Sequence, residues 1–184
     1  GTSVGSVTSI SALLNILAKE NQQPEKPVVV LSAMSGVTNL LTSMAEKAAL
    51  GKDYSEELKT IEQRHFEVIR ALLPASAQNP VLTKLKLYFN ELEELLQAIY
   101  NLQELSLQAK DLILSYGERC STLMISHIAK QQFPEAVFAD ATQFIKTDSN
   151  FGQARINTQL TDFLVKDFYD NNAGKMLFVT GFIA

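Results

Sequence analysis

Val7, Ile10, Leu13, Leu14 and Leu17 recur at helical spacing within Ser6–Lys19, so the pattern predicts a helix there. The polar stretch Asn21–Pro27, with two prolines, ends it. Val28–Leu31 is a continuous apolar run rich in β-branched residues, which predicts a strand buried on both faces of a parallel sheet. Ser32–Gly36 reads as a turn and Val37–Leu50 as a helix. Strand, small-residue turn and helix make half of a βαβ unit.

Gly51-Lys52-Asp53 breaks this pattern, and Ser55-Glu56-Glu57 opens a helix running to about Leu73, its acids suited to the positive end of the macrodipole. Pro74–Pro80 reads as a linker. Beyond it Leu85, Leu92 and Ile99 are spaced by seven, with Tyr88, Leu95 and Leu102 as a second seam. So short a heptad pattern predicts a helical hairpin inside the fold rather than a free coiled coil. A further helix covers roughly Ala109–Gln131, with Gly117-Glu118 in its middle. Ala136–Ala139 and Phe144–Lys146 read as short strands, Asn157–Tyr169 as a helix, and Met176–Thr180 as a buried strand after the turn Asn171–Gly174. The order predicts an α/β protein with a helical insertion of about 80 residues between early and late strands.

Charge and cysteine usage narrow the function classes. The net charge is −4, which offers no global field for nucleic acid or an anionic membrane. An anionic ligand would therefore need local donors. The single cysteine, Cys120, excludes an internal disulfide and reads as a small core residue. No apolar run approaches the ~20 residues of a membrane span, and the start GTSVGS lacks the features of a signal peptide; a cytoplasmic protein is expected. Neither GxxxxGK[ST] nor a strand-following GxGxxG occurs. His65 and His127 lack partners at metal spacing and read as helix-surface histidines, so no metal site is expected.

What remains are small-residue loops before helices. Leu31–Asn39 joins a strand to a helix and would aim backbone N–H groups and the helix dipole at an anion, with hydroxyls from Ser32, Ser35 and Thr38. The same residue types also suit a plain N-cap and turn. Gly1–Ser6 has similar chemistry, shared with disordered termini. Glu118 stands in an apolar helical stretch, where a carboxylate requires a cationic partner, a ligand ammonium or solvent. Thr147–Gly152 is a polar turn able to bind a ligand or cap a helix.

Together these segments resemble the aspartate kinases of the amino acid kinase family. Gly1-Thr2-Ser3-Val4 is similar to the end of the family's KFGGTSV motif, and Val29–Asn39 to its strand-loop-helix substrate segment. Gly117-Glu118 with Ser121 fits GExxS. Thr147-Asp148 with Phe151-Gly152-Gln153-Ala154 fits TDxxFGxA, and Thr180-Gly181-Phe182-Ile183 resembles the GFI/GFT loop.

The resemblance implies a three-layer αβα sandwich around a mainly parallel sheet, with a helical insertion at about 53–132. It implies phosphoryl transfer from ATP, with Mg2+, to the side-chain carboxylate of L-aspartate. Ser32, Thr38, Glu118 and Phe182 would bind substrate, Glu118 meeting the aspartate ammonium. Gly1 would belong to the loop approaching the transferred phosphate, with Thr2 and Ser3 beside it on the nucleotide side. A homo-oligomer formed through the parent protein is also implied. Residues 1–184 are expected to be a partial catalytic domain. The motif lysine would precede Gly1, and a TTLGRGGSD-type nucleotide segment and regulatory domains would follow. Negligible kinase activity is expected of these residues alone, because phosphoryl transfer depends on such charged groups. The alternatives are another amino acid kinase, acting on glutamate, acetylglutamate, UMP or carbamate, and a non-catalytic helical interaction module built on Leu85–Leu102.

Overall fold

A computed structural model describes residues 1–181. A 3₁₀ turn, Thr2–Val4, leads into α1 (Val7–Glu20), followed by β1 (Val28–Leu31), α2 (Val37–Ala49), α3 (Ser55–Leu72), α4 (Ala75–Leu102) and α5 (Leu107–Ala129). Then come β2 (Val137–Ala139), a second 3₁₀ turn at Ala141–Gln143, α6 (Thr158–Asp170) and β3 (Leu177–Thr180). Side-chain caps set several boundaries: Ser6 and Ser9 form a reciprocal capping box on α1, Ser106 caps α5, and Asn157 caps α6.

The strands are parallel and ordered β1-β3-β2, with Val28 opposite Leu177 and Leu31 opposite Thr180. Helices cover both faces. Phe178 and Met176 face the larger core with α1–α5, whereas Leu177 and Val179 face a smaller one with Ala139, Ala141 and Phe144, under Leu164 and Phe168 of α6. Period-two alternation along β3 thus separates two helical layers, and the fold is the three-layer αβα sandwich expected. Among the described residues no helix is long and apolar enough to cross a membrane.

Three local expectations fail, whereas the packing of α4 inside the fold is as expected. Val28 and Val30 are 50% and 65% exposed: β1 is an edge strand whose outer face, in register with Leu177 and Val179, lies beyond α6. Pro74–Pro80 is not a linker, because α4 starts at Ala75 and carries Pro80 in its second turn. Buried Val81 and Leu85 hold that turn against the core despite the missing donor. Phe144–Lys146 forms no strand; Phe144 follows the second 3₁₀ turn and packs on Phe168 at 4.6 Å between ring centroids. Along α4 the buried stripe is Leu85, Phe89, Leu92, Leu96 and Ile99, while Leu102 is 74% exposed. That stripe has the width of a globular helix face rather than of a two-residue heptad seam, and it packs within the fold against α2, α3 and α5.

Candidate functional site

β1 ends at Leu31, and the chain turns through Ser32–Gly36 into α2. Gly36 closes the turn at φ 79°, a left-handed conformation that favours glycine. The Val37 amide donates to the Met34 carbonyl at 3.0 Å. No side chain caps α2, so the Ser35 and Thr38 hydroxyls are not consumed by capping. The first-turn amides of α2 lack intrahelical acceptors and carry the positive end of its dipole.

Two other segments converge on this turn. The first residues lie over it, and the Gly1 nitrogen donates to Ser32 Oγ at 2.6 Å. Gly5 allows the close approach, because a Cβ there would stand 2.9 Å from Ser35 Cβ. From the other side comes α5. A Cβ on Gly117 would meet Ala33 Cβ at 2.8 Å and Leu41 Cδ1 at 3.3 Å, so glycine lets the helix backbone sit against the turn. Next to it, Glu118 Oε1 accepts from the Ala33 amide at 3.1 Å. One turn on, Ser121 Oγ donates to the Ser32 carbonyl at 2.8 Å. The Gly-Glu-x-x-Ser spacing is thus a docking face, each of its three residues touching the same turn.

Gly1, Thr2, Ser32, Ser35, Thr38 and Glu118 line a cavity of about 400 Å³, to which Asn39 also contributes. Its walls are electrically unlike: Glu118 on one side, helix N-terminus and hydroxyls on the other. Glu118 is 9% exposed, and burial pushes its carboxyl above the usual range. The Ala33 amide acts in the opposite sense.

Of the residues singled out by sequence, Gly1, Thr2, Ser32, Thr38 and Glu118 meet at this cavity. Ser3 lies in the adjoining 3₁₀ turn and does not line it. Phe182 lies outside the described residues. The Thr147–Ala154 turn is fastened to α5 elsewhere, through the Gly152 amide donating to Asp111 Oδ2 at 2.6 Å. Sequence reasoning missed Arg64 of α3, whose Nη1 would lie 3.8 Å from a Cβ on Gly36. Only α3 packing on α2 brings it there, and no local motif signals it.

His65 is a correction: it is fully buried rather than on a helix surface, with Nδ1 2.8 Å from the Ile61 carbonyl. His127 is half-buried, its Nδ1 2.9 Å from the Leu123 carbonyl. Cys120 is buried and burial raises its thiol pKa far above the ordinary value, which makes it an unreactive core residue. Among the described residues no group of three or more His, Cys, Asp or Glu could hold a metal ion.

The glycine contact supports a prediction. Gly117→Ala gains helix propensity of about 1 kcal/mol but forces a methyl into backbone-anchored neighbours, an overpacking cost of about 1–3 kcal/mol. We expect a net loss of stability by denaturant titration, together with weaker ligand binding at the cavity. A stabilised variant with unchanged binding would show that the turn yields freely.

A parallel αβα sheet with a small, polar, charge-divided cavity at the carboxyl end of an edge strand defines an α/β ligand-binding domain. Comparison with known proteins gives the family: the amino acid kinase family profile matches residues 1–184, and the chain belongs to that family. It is 31% identical over 193 residues to the chloroplastic aspartokinase 2 of Arabidopsis thaliana, covering 100% of this chain and 34% of that protein. It is 29% identical to the lysine-sensitive aspartokinase 3 of Escherichia coli, covering 84% of this chain and 32% of that protein. The fold matches the crystal structure of E. coli aspartokinase III in complex with aspartate and ADP with a TM-score of 0.86, at 24% identity, over 100% of this chain and 39% of that one. The chain therefore spans about a third of the length of these aspartokinases.

Proposed function

We propose that this chain is the aspartate-binding portion of an aspartate kinase, which transfers the γ-phosphoryl group of ATP to the side-chain carboxylate of L-aspartate to give 4-phospho-L-aspartate. The observation that carries this reading is the anchoring of Glu118 on the Ala33 amide opposite the N-terminus of α2, within one cavity of about 400 Å³. A zwitterionic amino acid presents an ammonium and carboxylates, and the two walls offer a partner for each. The aspartokinase relatives, one solved with aspartate and ADP, support the same substrates.

In this reading Glu118 binds the aspartate ammonium, and the Ser32 and Thr38 hydroxyls with the α2 amides hold a carboxylate. Gly1, Thr2 and Ser3 belong to the side where the phosphoryl group arrives, and Phe182 closes the pocket. These groups position the acceptor oxygen and exclude its rotation, which is the larger part of what a protein does in phosphoryl transfer. The cavity offers a single carboxylate, already engaged by Ala33, and does not fit a protein-held Mg2+. Mg2+ belongs with the nucleotide phosphates here, and no step is assigned to it. Assembly of the whole protein as a homo-oligomer and a non-membrane location complete the reading.

Hydroxylamine trapping tests it directly. The intact protein with MgATP and L-aspartate should accumulate aspartyl hydroxamate and release ADP in equal amounts. Hydroxamate from L-glutamate but not from aspartate would overturn the substrate assignment in favour of another member of the family.

A further inference from the structure

Glu118 and its sequence neighbour Arg119 leave α5 in different directions. Glu118 reaches the β1–α2 turn, whereas Arg119 points toward α4 and the end of β2. The Arg119 guanidinium lies 4.5 Å from the centroid of the Tyr88 ring of α4 and 4.8 Å from that of Tyr116 in α5. The two rings meet edge to face with centroids 6.2 Å apart, and the Tyr116 hydroxyl donates to Glu91 Oε2 at 3.1 Å. Arg119 Nε donates to Asp140 Oδ2 at 3.2 Å, and both side chains are largely buried. Two rings and one ion pair hold this guanidinium in a single orientation.

Asp140 is itself held. Its Oδ1 caps the second 3₁₀ turn, accepting from the Thr142 amide at 3.1 Å and the Thr142 hydroxyl at 2.8 Å. The next residue, Ala141, donates its amide to Thr180 Oγ1 at 2.9 Å. Thr180 ends β3, and the Gly181 amide after it donates to the Leu31 carbonyl at 2.8 Å. Leu31 leads into the turn that Glu118 and Ser121 hold from α5. Hydrogen bonds thus form a closed circuit at the carboxyl end of the sheet, from α5 through the β1–α2 turn, β3 and the end of β2 back to α5. Arg119–Asp140 closes that circuit. It joins two side chains, whereas each other link in it uses a main-chain amide or carbonyl.

We propose that Arg119 and Asp140 are positioning residues for aspartate binding: the pair fixes the rotation of α5 about its axis, and with it the direction in which Glu118 presents its carboxylate. This inference rests on the proposed aspartate kinase function. Neither Arg119 nor Asp140 lines the cavity, so their influence passes through Glu118. Side-chain tips lie roughly 5–6 Å from a helix axis, so a rotation of about 10° moves one by about 1 Å. Such a displacement takes a charge-assisted hydrogen bond of about 2.8 Å out of its useful range. A buried ion pair adds little net stability over apolar side chains of the same volume. What it supplies here is one defined orientation, next to the carboxylate that needs it.

Steady-state kinetics of the intact protein, read through hydroxylamine-trapped product, test the assignment with Asp140→Asn and Arg119→Lys. Asp140→Asn keeps the size of the side chain and an oxygen for the Thr142 amide, and removes the charge facing Arg119. Arg119→Lys keeps a charge and loses the planar group that stacks on the tyrosines. If the lysine variant fails to fold, the asparagine variant carries the test. Each is expected to raise KM for aspartate about fivefold, within the usual coupling between neighbouring residues, and to leave KM for MgATP unchanged. In a Glu118→Gln background Asp140→Asn should raise it no further, because no charge is left to aim. A pair that only stabilises the fold would lower the amount of active enzyme, and so the maximal rate, while KM for aspartate stayed at the wild-type value. That result overturns the proposal, as does a fivefold effect that persists in the Glu118→Gln background. Wild-type protein that forms no aspartyl hydroxamate would instead overturn the proposed function, and this inference with it.

Discussion

Glu118→Gln in the intact protein is expected to weaken L-aspartate binding about 10- to 100-fold, the worth of one charge-assisted hydrogen bond of roughly 1.5–3 kcal/mol. The substitution separates binding from folding. The glutamine side-chain oxygen still accepts from the Ala33 amide, so α5 stays docked on the β1–α2 turn. What disappears is the negative charge facing the cavity. Glu118→Ala should behave differently, because it also orphans the buried Ala33 N–H at a cost of about 1–3 kcal/mol and lowers the thermal midpoint. Acidification provides a second readout. Burial raises the Glu118 carboxyl above its ordinary range, so aspartate affinity should begin to fall at a higher pH than for a solvated glutamate. Glu118→Gln should flatten that dependence. Calorimetric titration of aspartate across pH reads both effects. Unchanged affinity in the glutamine variant would make Glu118 a structural carboxylate that merely fastens Ala33.

Much of this site was legible because its contacts are local or carried by short motifs. The β1–α2 turn needs small residues at fixed places, and the sequence between Ser32 and Gly36 has few ways to fold. Gly117-Glu118 drew attention as a carboxylate inside an apolar helix, although the reason for the glycine emerges only from its 2.8 Å approach to Ala33. That contact joins positions 84 residues apart in sequence (117 − 33), beyond the reach of any periodicity argument. Arg64 was missed on the same ground. Exposure on β1 was misjudged for a different reason. A run such as Val28–Leu31 says that a strand forms but not whether helices cover both of its faces, and α6 packs over β3 and β2 instead. Pro80 was misread because proline was taken as a break, whereas tertiary packing of Val81 and Leu85 outweighs the loss of one hydrogen bond near a helix start.

Acid stability should depend on His65, in a window set by its burial. The side chain is fully enclosed against Phe89, with ring centroids 5.7 Å apart. Its Nδ1 faces the Ile61 carbonyl and therefore carries the proton of the neutral ring, which leaves Nε2 without a partner. Burial lowers its pKa from 6.5 to about 4. The unfolded chain takes up a proton below 6.5 that the folded chain refuses until about 4. The contribution is therefore complete above 6.5 and is lost as pH falls between those values, amounting to about 3 kcal/mol at pH 4. His127, also lowered chiefly by burial, adds a loss of the same sign. Carboxylates titrate in the same region, so the informative quantity is a difference between proteins. His65→Leu is similar in bulk, removes the orphaned Nε2 and cannot titrate. It should match or exceed the wild type at pH 7, because a buried unsatisfied atom is gone, and it should lose less stability on acidification. Urea titrations of both proteins between pH 7.5 and 4.5 measure the gap. Parallel curves would mean that the ring gains a partner for Nε2 in solution, and that His65 titrates near its ordinary value.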